Sequence, residues 1–152
     1  MRYHLIAVGR ARGGPEKMLF DQYVKRLSQP LKLHEVEDRK SLSGQQLKIA
    51  EGNKILATIP DGAVVVALDE NGRTFTSPEI AKKIEHWRDD GIRDLAFVIG
   101  GADGLHESVK KRADVLLSFG AMTWPHMLVR AMVAEQIYRS QTILAGHPYH
   151  RK

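Results

Sequence analysis

Two uninterrupted apolar runs constrain the fold more than anything else in the chain. Ala63-Val64-Val65-Val66-Ala67-Leu68 and Leu95-Ala96-Phe97-Val98-Ile99 contain no polar residue. A strand with one face in water alternates apolar and polar side chains, so a strand apolar at every position has both faces covered. The segments between supply the covers. Residues 16–27 read as a helix with Phe20, Val24 and Leu27 on one side. Residues 43–58 read as a second, capped by Ser43, with Leu47, Ile49, Ile55 and Leu56 as its apolar contacts. A third runs over 77–88, with Ser77 as cap and Pro78 at the first helical position, and a fourth over 127–144. Residues 3–8 read as a strand and 115–117 as a short one. Residues 31–36 alternate at Leu31 and Leu33 until Glu35 breaks the pattern. Strands buried on both faces and alternating with helices specify an α/β architecture, a mainly parallel sheet with helices on both faces. The 152 residues read as one domain, 1–152. A chain of that length buries roughly two thirds of its unfolded surface.

Open α/β sheets bind ligands beyond the carboxyl ends of their strands. Three loops lie at such ends, 69–73, 100–104 and 119–125, and are expected to meet in space. Gly100-Gly101-Ala102-Asp103-Gly104 allows close backbone approach. It is neither the dinucleotide fingerprint nor a P-loop, and Asp103-Gly104 equally makes an ordinary turn. In Phe119-Gly120-Ala121-Met122-Thr123-Trp124-Pro125, small residues and backbone amides under an apolar rim suit an adenine-like group. Met122 and Trp124 also fit plain core positions.

The absence of cysteine removes disulfides, thiolate nucleophiles and Cys-type zinc sites. The first apolar segment is too short for a signal-peptide core and the longest run too short to span a bilayer. A soluble, cytoplasmic protein is expected. Lys and Arg number 23 against 18 Asp and Glu, a net charge of +5, which favours a polyanionic partner or is an ordinary basic surface. In the final helix Met127, Leu128, Val129, Met132, Val133, Ile137 and Tyr138 point in nearly all directions, interrupted only by Arg130, Glu135, Gln136 and Arg139. Such a helix is buried on more than one side, by a second subunit in a homodimer or at the centre of a monomer's core. Beyond it stands Gly146-His147-Pro148-Tyr149-His150-Arg151-Lys152, a composition suited to facing RNA. His126, Glu135, His147 and His150 lack the spacing of a zinc helix, so no metal is expected. Acid–base use of a histidine or of Glu135 fits better, and no G-x-S-x-G elbow supports a hydrolase.

Several motifs then stand in a specific order: Val66-Ala67-Leu68-Asp69, Val98-Ile99-Gly100-Gly101-Ala102-Asp103-Gly104, the segment Pro125-His126-Met127-Leu128-Val129-Arg130 leading to Glu135 and Arg139, and His147-Pro148-Tyr149-His150-Arg151. Together with Leu5-Ile6-Ala7-Val8-Gly9 at the start, they resemble the ribosomal RNA large subunit methyltransferase H family, pseudouridine N3-methyltransferases of the SPOUT class. The resemblance covers the whole chain. It implies a SPOUT-type fold with a C-terminal trefoil knot, which periodicity does not indicate and the general rarity of knots disfavours. It further implies a homodimer, S-adenosyl-L-methionine bound in the knot, and methylation of N3 of pseudouridine 1915, in 23S numbering, within helix 69 of 23S rRNA. The substrate would be the assembled ribosome.

Carried over by motif, the cofactor contacts would be Leu68, Gly101, Gly120, Ala121, Met122, Thr123, Trp124 and Pro125. Many members carry Ser or Lys where this chain reads Phe119-Gly120-Ala121, a mild departure if the contacts are backbone groups. His126, Arg130, Tyr149 and Arg151 would meet RNA, with the tail reaching across the dimer and Tyr149 stacking on a base. Methylating an imide nitrogen requires loss of its proton. Glu135 and His150 are the catalytic candidates, as base or base-orienting group. Glu135 and Arg139 equally make an ordinary helix pair, and His126 an ordinary turn cap. A tRNA methyltransferase or a non-catalytic ribosome-binding factor on the same fold are the alternatives. The chain has no room for an appended RNA-binding domain, which favours a large preformed substrate.

Overall fold

The two apolar runs lie side by side in the sheet, as burial on both faces requires. In the computed structural model, which describes residues 1–38 and 42–151, strands and helices alternate. The order is β1 (Arg2–Val8), α1 (Pro15–Arg26), β2 (Leu31–Val36), α2 (Gly44–Thr58), β3 (Val64–Arg73), α3 (Ser77–Asp89), β4 (Asp94–Ile99), α4 (Glu107–Arg112), β5 (Val115–Leu117) and α5 (His126–Ala145). The strands pair in the order β2-β1-β4-β3-β5, each neighbour parallel. Strand side chains alternate between faces. Tyr3, Leu5, Ala7, Leu95, Phe97 and Ile99 face α1, α3 and α5, meeting Phe20, Ile84, Ala131, Ala134 and Ile137. Ile6, Val65, Ala67, Ala96 and Val98 face α2 and α4, meeting Ile55 and Val109. Fully burying one such large aliphatic side chain contributes about 1.5–3 kcal/mol. Helices on both faces of a parallel sheet are thus the observed architecture.

The local differences from the sequence reading have physical causes. Helix α4 escapes detection because Val109 is its only buried residue and it is under two turns long. His106 caps it, its Nδ1 accepting from the Ser108 N–H at 3.2 Å. Ser43 stands at the N-cap of α2 but its side chain makes no capping bond, and Ile49 is exposed rather than packed. The cap of α3 is Thr76, which accepts from the Glu79 N–H at 3.2 Å. Ser77 is already helical and donates to Gln136 Oε1 at 2.8 Å.

Strand β3 does not stop at Leu68. Both Leu68 and Arg73 align with Leu117, so the intervening residues bulge and the strand resumes beyond them. Gly72 makes this possible, since a Cβ there would lie 2.6 Å from the Leu116 carbonyl oxygen. At its far end α5 closes on Gly146, whose φ of 72° lets the His147 N–H reach the Thr142 carbonyl at 2.9 Å. Lys152 lies outside the described residues.

Candidate functional site

The carboxyl ends of β3, β4 and β5 enclose a cleft of about 480 Å³. All three sequence-predicted loops contribute to it: Asp69, Glu70 and Asn71, then Gly100 to Gly104, then Phe119, Gly120, Met122, Thr123 and Trp124. Leu68, Gly101, Gly120, Met122, Thr123 and Trp124 are therefore together, with His126 beside them. Ala121 and Pro125 belong to the same loop but not to the cleft wall.

Each wall is set by backbone geometry. The second loop closes as a turn, with the Gly104 N–H on the Gly101 carbonyl at 3.0 Å and Gly104 at a φ of 81°. A Cβ on Gly100 would lie 2.9 Å from Gly104 backbone carbon. The third loop is tied to the β3 bulge by buried Ser118. Its amide donates to the Arg73 carbonyl at 2.8 Å, and its hydroxyl lies 3.1 Å from the Glu70 carbonyl and accepts from the Gly120 N–H at 3.0 Å. Trp124 Nε1 reaches back to the Phe119 carbonyl at 3.4 Å. Met122 and Trp124 are not core residues: they stand 74% and 38% exposed on the cleft rim.

Both signs of charge reach the cleft. Lys110, from the undetected helix α4, pairs with Asp69 at 3.4 Å, and Lys48 comes from α2. Neither lysine was legible in the sequence as a site residue, because each depends on which helix face meets the cleft. Behind the second loop lies Glu51. Burial pushes its carboxyl above the ordinary range, Asp103 and Asp38 add to that shift, and His126 opposes it. A Cβ on Gly101 would sit 3.0 Å from either Glu51 carboxylate oxygen. Among the described residues no group of three or more His, Cys, Asp or Glu is arranged to hold a metal ion.

Glu135 and His150 sit elsewhere in the chain. At about 1.5 Å per residue, Glu135 is roughly 14 Å along α5 from His126. Its carboxylate accepts from Arg139 Nε at 2.8 Å and Nη2 at 2.6 Å, from the Tyr149 hydroxyl at 3.1 Å and from Gln136 at 2.8 Å. The ordinary helix pair with Arg139 is thus present. His150 Nδ1 lies 3.0 Å from Arg139 Nη1, which can only donate, so neutral His150 carries its proton on Nε2. Tyr149 is half-buried, edge-on to Tyr138 at 4.7 Å, with the Arg139 guanidinium 4.7 Å from its ring centre. Burial raises the Tyr149 hydroxyl above its usual range, and a bond with Tyr23 and the Glu135 charge raise it further. In this position Tyr149 is packed and does not offer its ring for stacking. Arg151 is exposed.

Arg130 departs most from its expected role. It is 3% exposed, its Nη1 2.7 Å from Glu35 and its Nη2 donating to the Gly9 carbonyl at 3.1 Å. A guanidinium turned inward in this way braces the chain rather than meeting a phosphate. Burial works to raise the Glu35 carboxyl. The Arg130 bond, the Ala11 N–H and the nearby charges of Arg130 and Arg10 more than offset it and hold the group below the usual carboxylate range.

A second hollow, about 510 Å³, shares Leu117, Phe119 and Gly120 with the cleft. Apolar side chains of α1, α3 and α5 line it, among them Leu19, Tyr23, Ile80, Leu128 and Met132, with Glu135 at its margin.

The comparisons agree with this geometry. Residues 1–150 match the family model described as predicted SPOUT methyltransferase. The protein named ribosomal RNA large subunit methyltransferase H of Rhodospirillum centenum is 60% identical over 151 residues, covering 99% of both chains. Its namesake in Paramagnetospirillum magneticum is 58% identical over the same share. Among solved structures, a probable methylase family protein of Haemophilus influenzae superposes with a TM-score of 0.56 at 10% identity, over 99% of this chain and 70% of that one. The SpoU methyltransferase AviRb of Streptomyces viridochromogenes, solved with AdoMet, gives 0.50 at 12% identity over 92% of this chain and 58% of its own. At such identities these two establish the fold alone. By sequence over nearly its whole length and by fold, the chain belongs to the SPOUT methyltransferase family, in the group named ribosomal RNA large subunit methyltransferase H.

Proposed function

We propose that the protein transfers a methyl group from S-adenosylmethionine to N3 of pseudouridine 1915 of 23S rRNA in the assembled ribosome. It acts in the cytoplasm as a homodimer, with the cofactor held in a knotted C-terminal segment. The observation that carries the reading is the convergence of the three strand-end loops on one cleft in a chain of this family.

The residues present fit the cofactor. A volume near 480 Å³ is within the range of about 300–1,000 Å³ usual for small-molecule sites. Leu68, Ile99, Leu117, Met122 and Val129 offer apolar surface to an adenine ring, and the Gly120 backbone is open, with nothing within 4 Å of where its Cβ would be. Asp69 and Asp103 supply acceptors for ribose hydroxyls or an ammonium group, and Lys48 a counter-charge for a carboxylate. When bound, S-adenosylmethionine supplies an electrophilic methyl group, leaving orientation and proton removal to the protein.

The two catalytic candidates divide unequally. All the hydrogen bonds described for Glu135 hold neighbours in place, so its role is to position Arg139 and Tyr149. His150 can take up the imide proton only at Nδ1, after Arg139 lets go, because its Nε2 already carries one. Neither lines its own chain's cleft. A second copy, seated on the apolar hollow of α1, α3 and α5 next to the cleft, brings its Tyr149–Arg151 segment to the first copy's cofactor.

The test uses labelled S-adenosylmethionine with ribosomes lacking this methyl group, beside naked 23S rRNA and bulk tRNA. Label in 23S rRNA from ribosomes alone, mapped to pseudouridine N3, is the expected result. Label in tRNA replaces the substrate and keeps the cleft. Cofactor binding without transfer to any RNA replaces the enzyme with a ribosome-binding factor.

A further inference from the structure

The loop between β1 and α1 has no assigned role. It reads Gly9-Arg10-Ala11-Arg12-Gly13-Gly14, and Gly9, Gly13 and Gly14 all have positive φ, at 100°, 90° and 102°. A loop so rich in left-handed glycine has many conformations to lose, and in this structure it is held. The Gly9 N–H donates to the Val36 carbonyl at 2.9 Å, and the Ala11 N–H to Glu35 Oε2 at 2.6 Å. Arg130 grips both the Gly9 carbonyl and Glu35. An ion pair reaching from α5 to β2, with its guanidinium buried and its carboxylate near the surface, therefore anchors this loop. Stability alone does not call for that device, because an apolar contact holds a loop without desolvating a guanidinium.

The anchored loop presents charge on the side of the sheet's carboxyl edge next to the site. Arg10 and Arg12 are exposed. Among the described residues nothing pairs with Arg12, and Arg10 acts on Glu35 only through its charge. The loop continues β1, whose Val8 side chain lies 3.2 Å from the Cβ position of Gly101 in the cleft wall. Arg130, its anchor, is one turn along α5 from His126 at the cleft mouth. Arginine's planar fork matches phosphate oxygens. Between Gly9 and Gly14 the only side chain besides the arginines is a methyl group, so the loop lacks the aromatic or aliphatic anchor that protein docking uses.

We infer that Arg10 and Arg12 grip phosphates of the RNA strand whose base enters the neighbouring cleft, with Arg130 and Glu35 as positioning residues for that loop. The inference rests on the reading of the protein as an rRNA methyltransferase. It moves the phosphate contact from buried Arg130 to the segment Arg130 supports.

The experiment compares the full-length protein with Arg10→Ala/Arg12→Ala and Arg10→Lys/Arg12→Lys on ribosomes lacking the methyl group. Ribosome binding by co-sedimentation and kcat/KM for methyl transfer are read across a series of KCl concentrations, and cofactor affinity by calorimetry. The double alanine variant is expected to lose on the order of tenfold in both ribosome readings, and its log–log salt dependence to become shallower by about 1.5, two phosphate contacts' worth. Cofactor affinity stays at the wild-type value, and the lysine pair recovers most of the slope. Unchanged binding and slope overturn the inference. Weaker binding with an unchanged slope also overturns it, in favour of an uncharged contact with a ribosomal protein. Wild-type protein that binds ribosomes and cofactor without methylating defeats the enzymatic reading alone, since co-sedimentation still reads the loop.

Discussion

A side chain at Gly101 would crowd its neighbours. A Cβ there meets the Glu51 carboxylate at 3.0 Å and Val8 Cγ1 at 3.2 Å, while the residue itself lines the cleft. Glu51 is the end of a flexible side chain and can yield, so Gly101→Val is expected to fold at a cost of about 1–3 kcal/mol. The same branched side chain closes the cleft from the loop side, and cofactor affinity should fall by at least about tenfold in calorimetric titration, since one misplaced group at a close backbone approach removes several contacts. Wild-type affinity in a folded variant would remove the 100–104 loop from the site. The family motif picked out Gly101 as a cofactor contact, and its place at a strand's carboxyl end was legible. Arg130 was not: one letter in a motif does not say whether a guanidinium points to solvent or to Glu35, and the partner is 95 residues away.

Among the elements, β1, β2 and β4 are held together by side chains as well as by their ladder. Arg2 donates to both oxygens of Asp94 at 2.8 Å, His4 Nε2 bonds Asp94 Oδ1 at 2.8 Å, and His4 Nδ1 lies 3.1 Å from His34 Nε2. One proton serves the contact between the imidazoles, so protonating both rings breaks it. Burial lowers His34 below the ordinary histidine range, and the charges of His4 and Lys32 lower it further. A depressed folded value means that the unfolded chain takes up the proton first. This contribution is complete above the unfolded histidine value, near 6.5, and is lost as pH falls from there through the folded value. Asp94 is held below the usual carboxylate range chiefly by its bond to Arg2, against burial, so its contribution is lost later, at more acid pH. Chemical unfolding across a pH series should show a first decline beginning near neutrality, and His34→Gln should remove that first step and leave the acid one. A decline identical in the variant would assign it to other groups. The same scale explains the two misread elements. Helix α4 has too few turns to display a period, and the β3 bulge depends on pairing with Leu117, a partner nearly fifty residues on.

For the whole molecule, the hollow of α1, α3 and α5 is where the proposed second copy is tested. Met132 lines it, half-buried in the single chain, amid Leu19, Tyr23, Ile80 and Leu128. Met132→Lys places an ammonium on an apolar surface that water reaches in the monomer and not in a dimer. Desolvating that charge without a partner costs several kcal/mol, enough to move the equilibrium to the monomer. Sedimentation velocity should report the monomer, and methyl transfer should fall with it if the cleft needs the other copy's Tyr149–Arg151 segment. A variant that remains dimeric would place the interface elsewhere.

The chain's own pattern determined the layers: runs apolar at every position demand two covered faces, and the helices between them supply those covers. It also placed three loops at the strand ends where an open sheet can take a ligand, because the strands stop where the apolar runs stop. The order β2-β1-β4-β3-β5, the meeting of those loops in one cleft, the inward turn of Arg130 and the separation of Glu135 and His150 from the cleft were decided only by the tertiary structure. Each depends on contacts between residues distant in sequence, and periodicity carries information only over the few residues of a helical turn or a pleat.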